Sequence, residues 1–388
     1  MKKTIAIIIN NDIGLYNFRK ELLEQLLGKK YKIHLLLPNG ERIKELQAMG
    51  CLFHELSIDR RGTNPFRDLK LLLAIRKLLM RIKPDVVLTY TIKPNIYGGI
   101  AAQMLRIPYI ANITGLGSAL EHPGILRFIT IRLYRFALKK AKCVFCQNKE
   151  NLKFIKKNRI AFERVRRLPG SGVNLQHFSF CQYPEEATDQ EENKRLNFSI
   201  ANPDIVQDQL YKCKFAFVSR VMKEKGIEEF LEAAAILKRK YLKAEFHICG
   251  FCEEEFENRL KQMQKDKMII YHGMVSDIRE VVKKMHCVVL PSYHEGMSNA
   301  LLEAAAMGRP LIASDIPGCR ECINNQKSGF LVPVKSAEKL TEAMEQFLIM
   351  PYSKKRQMGI ESRAWAERFF DRKRVVDAYL EEIEKIKK

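Results

Sequence analysis

The chain has 388 residues, 46% of them hydrophobic, which suits two α/β domains of ordinary size better than one. No run of about 18 apolar residues is free of charges, so we expect no membrane-spanning helix. The apolar run near the start, Ile5–Ile9, is too short for a signal peptide, and we therefore expect a cytoplasmic protein.

The positive charge is concentrated in the first half of the chain. The net charge is +22, and residues 1–170 carry 33 Lys and Arg against 12 Asp and Glu. This half is therefore predicted to meet an anionic partner: nucleic acid, acidic lipid or a phosphorylated ligand.

The first half alternates between short apolar strands and helices. In chain order, strands are predicted at TIAIIIN, KIHLLLP, FHELSI, PDVVLTY, IPYIANIT and KCVFCQN, with helices at 16–27, 41–49 and 66–82. Continuous apolar strands are typical of a parallel sheet whose two faces are both covered by helices. Residues 1–170 are therefore predicted to form an open, doubly wound α/β domain.

A Pro- and Gly-containing segment at 167–178 interrupts the alternation, and a polar stretch follows it. We assign residues 171–212 to a linker with an exposed insertion. Strands then resume at FAFVSR, AEFHICG, MIIYHG, CVVLPS, PLIASD and GFLVP. Residues 213–370 are predicted to form a second Rossmann-like domain facing the first across a cleft, with a last helix at 371–388 packed on the first domain.

The ten cysteines include three C-x-x-C pairs, at 143/146, 249/252 and 319/322. Such pairs can bind zinc, but no second pair lies within zinc-ribbon distance of a first. Reduced thiols are the simpler interpretation, and we predict no metal site.

The stretch HEGMSNALLEAAAMG follows a predicted buried strand and carries two carboxylates. Ser298 is a good N-cap, which predicts a helix from Asn299. Free N–H groups from Gly296 to Asn299, together with the helix dipole, would favour an anion. Glu303 lies among Leu and Ala residues, where a carboxylate needs partners such as ribose hydroxyls. The alternative is that Glu295 and Glu303 are ordinary surface charges.

Two cations follow another predicted strand, in FAFVSRVMKEKGIEEF. Arg220 and Lys225 at a strand's carboxyl end would neutralise a diphosphate, and Arg can do so with two parallel hydrogen bonds. The alternative is a pair of solvated loop charges. No D-x-D occurs in the chain, so a metal held by paired aspartates is not expected.

The segments SRVMKEKG, HGMVSDI and PSYHEGMSNALLEAAAMGRPLIASDIPGCRE together resemble the donor-binding half of retaining glycosyltransferases of family 4, which have the GT-B fold. That family typically shows S-R-x(4)-K-G, then E-G-x-(S/P)-x(4)-E, then G-x-x-E, and each has a counterpart here in the same order. The stretches NDIGLYNFRKELLEQL, YTIKPNIYGGIAA and TGLGSAL resemble a bacterial subgroup that builds surface polysaccharides and protein-linked glycans on lipid carriers. The resemblance covers almost the whole chain except the insertion.

The resemblance implies roles at matching positions. Glu295 would contact the transferred sugar near the reacting centre and is the catalytic candidate, while Glu303 would hold the ribose. Gly14 would lie in the first loop, close to the donor diphosphate. The other donor-binding groups would be the side chains of Arg220 and Lys225 and the backbone amides of Gly296, Met297, Ser298 and Asn299.

The first half departs from the family pattern at one point. Many members have a histidine in an H-G pattern after a strand, where this chain has Asn112-Ile-Thr-Gly-Leu-Gly117. Thr114 or a backbone group would replace that histidine, so no catalytic histidine is named. Arg19 and Lys93 follow strands of this domain and are candidates for binding an acceptor diphosphate.

The segment RFITIRLYRFALKKAK predicts a helix with a basic stripe. The stripe consists of Arg132, Arg135, Lys139 and Lys142. It either lies in water above a packed domain helix or faces an anionic membrane surface. The charge of the domain favours the membrane, and so does the resemblance, because a polyprenyl-diphosphate acceptor is both membrane-bound and anionic.

The leading hypothesis is therefore transfer of a hexose or N-acetylhexosamine from a UDP-sugar to a lipid-linked saccharide, with retention and without a metal or other cofactor. The protein would be peripheral on the inner face of the cell membrane. The alternatives are a nucleotide-sugar epimerase of the same architecture and a non-enzymatic nucleic-acid binder, although no recognition motif supports the latter. A dehydrogenase is disfavoured because no G-x-G-x-x-G follows a strand.

Overall fold

The computed structural model describes residues 2–59, 62, 64–115, 120, 124–161, 164–184 and 212–386. The chain divides into two compact units, one of Met1–Gly172 with Arg372–Lys388 and the other of Val173–Asp371. Residues 173–184, which the sequence assigned to the linker, belong to the second unit. Most of the polar insertion, at 185–211, lies outside the described residues.

The first unit contains a seven-stranded parallel sheet. Its strands are β1 (Thr4–Ile8), β2 (Lys32–Leu37), β3 (Leu52–Glu55), β4 (Val86–Tyr90), β5 (Tyr109–Ile113), β6 (Cys143–Cys146) and β7 (Val165–Arg167). Their order is β3-β2-β1-β4-β5-β6-β7, so it reverses between β1 and β4. The predicted doubly wound sheet is confirmed, with the short edge strand β7 added to the predicted set.

The helices of the first unit cover both faces of this sheet. They are α1 (Asp12–Gly28), α2 (Ile43–Ala48), α3 (Pro65–Ile82), α4 (Gly99–Met104, preceded by a π-helical turn at Pro94–Gly98), α5 (Ile125–Leu138) and α6 (Lys149–Lys157). The buried side chains of α1 and α2 belong to one apolar core and those of α3, α4 and α5 to another. The sheet separates the two cores.

The second unit contains a six-stranded parallel sheet. Its strands are β8 (Lys214–Val218), β9 (Glu245–Cys249), β10 (Ile270–Gly273), β11 (Cys287–Leu290), β12 (Leu311–Ser314) and β13 (Gly329–Val332). Their order is β10-β9-β8-β11-β12-β13, which reverses between β8 and β11. One contiguous apolar core runs through this unit.

The helices of the second unit are α7 (Ile227–Lys240), α8 (Glu254–Lys265), α9 (Arg279–Val282), α10 (Asn299–Ala306), α11 (Pro317–Arg320), α12 (Ala337–Ile349) and α13 (Tyr352–Phe370). A last helix, α14 (Arg372–Lys385), belongs to the first unit and adds Tyr379 and Ile383 to the core beneath α1. Of the helices that the structure describes, none has the length and apolar character needed to cross a bilayer.

Candidate functional site

The second unit has its strand-order reversal between β8 and β11. In open α/β sheets, ligands bind beyond the carboxyl ends of the strands at such a reversal. Arg220 follows β8 by two residues, and Ser292 and Glu295 follow β11. The topology therefore brings Arg220 and Glu295, which are 75 positions apart in the sequence, to the same edge of the sheet.

Lys225 and Glu295 form an ion pair at this edge. Lys225 Nζ lies 2.6 Å from Glu295 Oε1, and the two side chains are only 16% and 14% exposed. The hydroxyl of the buried Ser292 donates to the same carboxylate oxygen at 3.0 Å. Because both groups are largely desolvated, solvent screens their attraction less than it screens that of a surface salt bridge.

Two glycines allow the loops around this pair to approach each other. Gly226 has a left-handed backbone with φ of +75°, and a Cβ there would lie 2.0 Å from the carbonyl oxygen of Pro291. A Cβ on Gly318 would lie 2.4 Å from the carbonyl oxygen of Glu295. Any side chain at either position would push the loop that carries Glu295 away from its neighbours.

Helix α10 begins as the sequence predicts. Ser298 is its N-cap, with an extended backbone, and its side chain accepts a hydrogen bond from the Leu301 N–H. The prediction of a free N–H at Ser298 is wrong, because this group donates to Gly318 O at 3.2 Å. Gly318 belongs to α11, which follows β12. This hydrogen bond therefore links the segment after β12 to the start of α10.

The side chains of Asn299 and Glu303 lie on the partly exposed side of α10. Both residues are half-buried, whereas Leu302 and Ala304 are buried. Within the described residues, Asn299 Oδ1 is buried and has no hydrogen-bond partner. A buried polar atom of this kind usually has a hydrogen-bond partner. A bound ligand would therefore supply the donor that Asn299 Oδ1 lacks.

The loop between β11 and α10 is tied to α7 through a tyrosine. Tyr293 donates its hydroxyl to Glu229 Oε1 at 2.6 Å, and its backbone N–H donates to Glu224 O. Burial and the neighbouring Glu229 carboxylate raise the pKa of Tyr293 well above its usual value, so the hydroxyl remains a donor. The Lys335 ammonium lies 5.1 Å from the centre of the same ring.

Arg220 is an accessible cation at this edge. Its side chain is 54% exposed, and its Nη1 is 3.8 Å from Glu253 Oε1. An exposed pair at that distance contributes little to stability, so an incoming anion can displace it.

The first unit has its own strand-order reversal, between β1 and β4. The sequence placed Gly14 in a loop after β1, and that placement is wrong. Asn11 has an extended backbone and caps α1, so Gly14 is the third residue of the helix and donates its N–H to Asn11 Oδ1. The amide of Gly14 is therefore already used within the helix cap.

Arg19 lies inside the first unit. The residue is 4% exposed, and its guanidinium carbon lies 5.1 Å from the ring centre of Tyr90 and 6.0 Å from that of Tyr379. Its Nη1 donates to the carbonyl of Phe18. A buried guanidinium packed beside two aromatic rings is poorly placed to meet a lipid diphosphate, so the structure gives the predicted acceptor role of Arg19 no support.

Lys93 and Thr114 both lie beyond the carboxyl ends of neighbouring strands. Lys93 follows β4, and its Nζ is paired with Asp68 Oδ1 at 2.7 Å. The side chains of this pair are 14% and 15% exposed, and Tyr97 donates to the other oxygen of Asp68. Thr114 follows β5 and is half-buried. Their acceptor-binding roles stay predictions.

The predicted basic stripe is only partly helical. Arg132 and Arg135 are exposed on α5 and Lys139 caps its end, but Lys142 lies beyond the helix. The prediction that Lys142 shares the helical stripe is therefore wrong. Its N–H instead donates to the carbonyl of Tyr109, the first residue of β5, and β6 begins at the next residue, Cys143.

None of the C-x-x-C pairs forms a disulfide, and all six cysteines of these pairs are buried. Burial raises the pKa of Cys143 and of Cys249 to about 12, so these thiols stay protonated. Among the residues that the structure describes, no three His, Cys, Asp or Glu side chains are grouped as a metal site requires.

Comparison with known families accounts for both units. Residues 5–148 match the model described as glycosyl transferase 4-like, and residues 212–349 match glycosyl transferases group 1. A glycosyltransferase from Rickettsia africae superposes with a TM-score of 0.77 at 21% identity, over 99% of this chain and 98% of that one. The chain is a glycosyltransferase with the GT-B fold.

Two relatives of this glycosyltransferase carry specific names. It is 29% identical, over 89% of each chain, to N,N'-diacetylbacillosaminyl-diphospho-undecaprenol alpha-1,3-N-acetylgalactosaminyltransferase of Campylobacter jejuni. It is 27% identical, over 73% of this chain and 71% of the relative, to UDP-Gal:alpha-D-GlcNAc-diphosphoundecaprenol alpha-1,3-galactosyltransferase of Escherichia coli. An Anabaena protein, HepE, in complex with UDP-glucose has the same fold, with a TM-score of 0.76 at 15% identity over 99% of this chain and 100% of that one.

Sequence reasoning missed three supporting residues of the glycosyltransferase. Ser292 positions Glu295, Tyr293 anchors the loop, and Gly318 makes room for it. Ser292 and Tyr293 lie three and two residues before Glu295 of the E-G motif, and Gly318 is the first residue of the G-x-x-E motif. The motifs thus indicated where these residues lie, but their contacts depend on the fold.

Proposed function

We propose that this glycosyltransferase moves a hexose or N-acetylhexosamine from a UDP-sugar to a saccharide linked to a polyprenyl diphosphate, with retention at the anomeric carbon. It would act at the cytoplasmic face of a membrane in the synthesis of a surface polysaccharide or another glycan. The observation that carries the proposal is the partly buried pair of Lys225 and Glu295 at the strand-order reversal of the second unit.

The donor diphosphate fits the cations beside β8. Arg220 is accessible, and Lys225 is held in place by Glu295, so little side-chain entropy is lost when an anion binds. The amino ends of α7 and α10 add partial positive charge at the same edge. These groups can neutralise two phosphates without a metal ion, and we propose that no metal or other cofactor is needed.

Residues that follow neighbouring strands of the same sheet offer groups that match the nucleoside. Glu303, half-buried in α10, can accept two hydrogen bonds from adjacent ribose hydroxyls. Two large apolar side chains follow the next strands of the sheet, Phe251 after β9 and Met274 after β10, and they are 58% and 75% exposed. We propose that they form the platform on which the uracil ring packs.

The acceptor is proposed from the named relatives. Both the C. jejuni and the E. coli relative are named for acceptors on an undecaprenyl diphosphate, and each covers most of this chain. The E. coli relative is named for UDP-Gal and for an α-1,3 product. Because UDP-galactose is an α-glycoside, an α-linked product means that the configuration at the anomeric carbon is kept.

The proposed transfer occurs on one face of the sugar. The acceptor hydroxyl oxygen forms a bond to the anomeric carbon as the bond from that carbon to the β-phosphate oxygen breaks. The hydroxyl proton passes to the leaving phosphate, so UDP leaves with it. Arg220 and Lys225 stabilise the charge that develops on the phosphate, and Glu295 holds the sugar near the reacting carbon.

The test uses the purified full-length chain, a panel of UDP-sugars and undecaprenyl-diphosphate-linked saccharides in detergent. We expect thermal stabilisation by UDP and by one UDP-sugar, and UDP release that requires the lipid-linked acceptor. An NMR spectrum of the product should show an α linkage. Failure of every UDP-sugar to bind would refute the proposal, and conversion of a UDP-sugar without acceptor would show an epimerase instead.

A further inference from the structure

Helices α3 and α5 expose an unusual number of large apolar side chains. On α3, Phe66 is 79% exposed, Leu69 and Leu73 are each 53% exposed, and Met80 is 41% exposed. Their spacing of three, four and seven residues places them on one side of the helix. The opposite side, with Leu71, Ile75 and Leu79, is fully packed in the core.

Helix α5 repeats this arrangement. Its exposed apolar residues are Ile125 (81%), Leu126 (48%), Phe128 (58%), Ile129 (47%) and Phe136 (62%). Tyr134, Ala137 and Leu138 fill the core side. The outer side of α5 is therefore apolar as well as basic, which the basic stripe in the sequence did not indicate.

The two outer sides lie on the same side of the first unit. Helices α3 and α5 both pack against α4, and the buried residues of all three share one core. Between them, Met104 at the end of α4 is 56% exposed. A soluble monomer rarely leaves apolar area of this extent uncovered, because each side chain loses roughly 1.5–3 kcal/mol by staying in water.

Basic residues outnumber acidic ones on the two helices that carry these apolar residues. Helix α3 contains five basic residues and one acidic residue, and α5 contains three basic residues and no acidic residue. The single acid, Asp68, is paired with Lys93. A recess of ≈ 700 Å³ along α3 is lined by Arg67, Lys70, Lys77 and Arg81 together with three acidic residues, of which Asp59 already pairs with Arg67.

We propose that α3 and α5 form one docking face for an anionic phospholipid bilayer. The face consists of Phe66, Leu69, Leu73 and Met80 on α3, and Ile125, Leu126, Phe128, Ile129 and Phe136 on α5, together with the exposed basic residues of both helices. The apolar side chains enter the boundary between headgroups and acyl chains, and the basic side chains bind anionic headgroups. A bilayer offers both contacts over an extended surface, whereas an acidic protein surface alone leaves the apolar side chains in water.

The energies of the two contacts differ in their response to salt. Each Lys or Arg near an anionic leaflet contributes about 1 kcal/mol, and added salt screens that attraction. The apolar contribution does not depend on ionic strength. Binding should therefore weaken with salt but persist, which separates insertion from simple electrostatic adsorption. This inference extends the proposed function, because its physiological reason is the lipid-linked acceptor.

The test is co-sedimentation of the full chain with vesicles of phosphatidylglycerol and phosphatidylcholine, or of phosphatidylcholine alone, at low and high KCl. Phe66→Ser/Leu69→Ser/Leu73→Ser and Ile125→Ser/Ile129→Ser should each reduce partition into the anionic vesicles at least tenfold. The matched control, Leu242→Ser/Ile349→Ser, changes side chains of 57% and 47% exposure in the second unit and should stay within twofold of the parent. Circular dichroism checks that each variant is folded.

Unchanged vesicle binding in a folded α3 variant would overturn the two-helix face, and so would complete loss of parent binding at high salt. The assay for UDP release on a short-chain, water-soluble acceptor, run without vesicles, keeps the two proposals apart. Vesicle binding without UDP release from any sugar would leave the docking face standing and refute the proposed function. If the parent protein released UDP but did not bind anionic vesicles, the proposed function would stand and the docking face would be refuted.

Discussion

Lys225 Nζ and Glu295 Oε1 lie 2.6 Å apart, so the cation that faces the proposed diphosphate and the carboxylate that faces the proposed sugar form one unit. The two residues are predicted to be coupled in activity. Lys225→Met and Glu295→Gln should each lower kcat/KM, and the double variant should lose less than the sum, with a coupling free energy of about 1 kcal/mol or more. Strict additivity would show that the pair does not act together.

Glu295→Ala is expected to reduce kcat by roughly 100-fold or more, because the carboxylate acts where charge develops. UDP affinity should stay the same or increase, since Lys225 is released from its partner. Calorimetry with UDP and initial rates with the cognate UDP-sugar measure the two quantities. A large loss of UDP affinity with unchanged kcat would contradict the assigned role.

Glu303→Ala is expected to have the opposite profile. A hydrogen bond to a charged group contributes about 1.5–3 kcal/mol, so UDP should bind roughly 10- to 100-fold more weakly. Glu257→Ala, on the exposed face of α8, is the control and should leave UDP affinity unchanged. Deoxyuridine diphosphate lacks a ribose hydroxyl, so its affinities for the parent and for Glu303→Ala should differ less than those of UDP.

Tyr293→Phe is expected to loosen the loop that carries Glu295. It removes the 2.6 Å hydrogen bond to the buried Glu229, which costs about 1–3 kcal/mol. The melting temperature of the second unit should fall and KM for the donor should rise. If KM were unchanged in a destabilised variant, the tether would be a stability element only.

Stability should fall on acidification because of a pair of histidines, of which His34 is buried and His54 is half-buried. His34 and His54 stack on β2 and β3, with Nδ1 and Nε2 2.8 Å apart. Burial, then the neighbouring His54 and Lys32, lowers the pKa of His34 to about 4, and burial and Arg81 lower the pKa of His54. Both rings therefore stay neutral in the folded state at a pH where the same two histidines, with their usual pKa, take up protons in the unfolded chain.

The stabilisation is thus complete above about pH 6.5 and is lost as the pH falls towards 4. Urea unfolding of the parent and of His34→Gln between these pH values measures the effect. The variant should show the weaker pH dependence. Equal slopes would show that other groups control acid unfolding.

Much of the second unit could be predicted from local sequence. Ser298 marked the start of α10, and the apolar runs marked the strands, because caps and hydrophobic patterns act over a few residues. The start of α1 was misplaced because Asn11 was read as part of a loop although it caps the helix. Strand β7 was missed because it is three residues long and contains two arginines.

The remaining errors concern contacts between distant residues. No local pattern shows that the Ser298 N–H meets Gly318 O, or that Arg19 packs beside both Tyr90 and Tyr379, the latter 360 positions further along the chain than Arg19. The exposed face of α3 was also missed. Its apolar residues fit a helical pattern, and only the packing shows which of them remain outside the core.

The distribution of thiols has a practical use. Nine of the ten cysteines are buried, and Cys181, in the second unit, is the only one that is partly accessible. A maleimide dye should therefore attach at a single native position, without any cysteine being removed by mutation. The same chain could then report donor binding and vesicle docking by fluorescence, with its sequence otherwise unaltered.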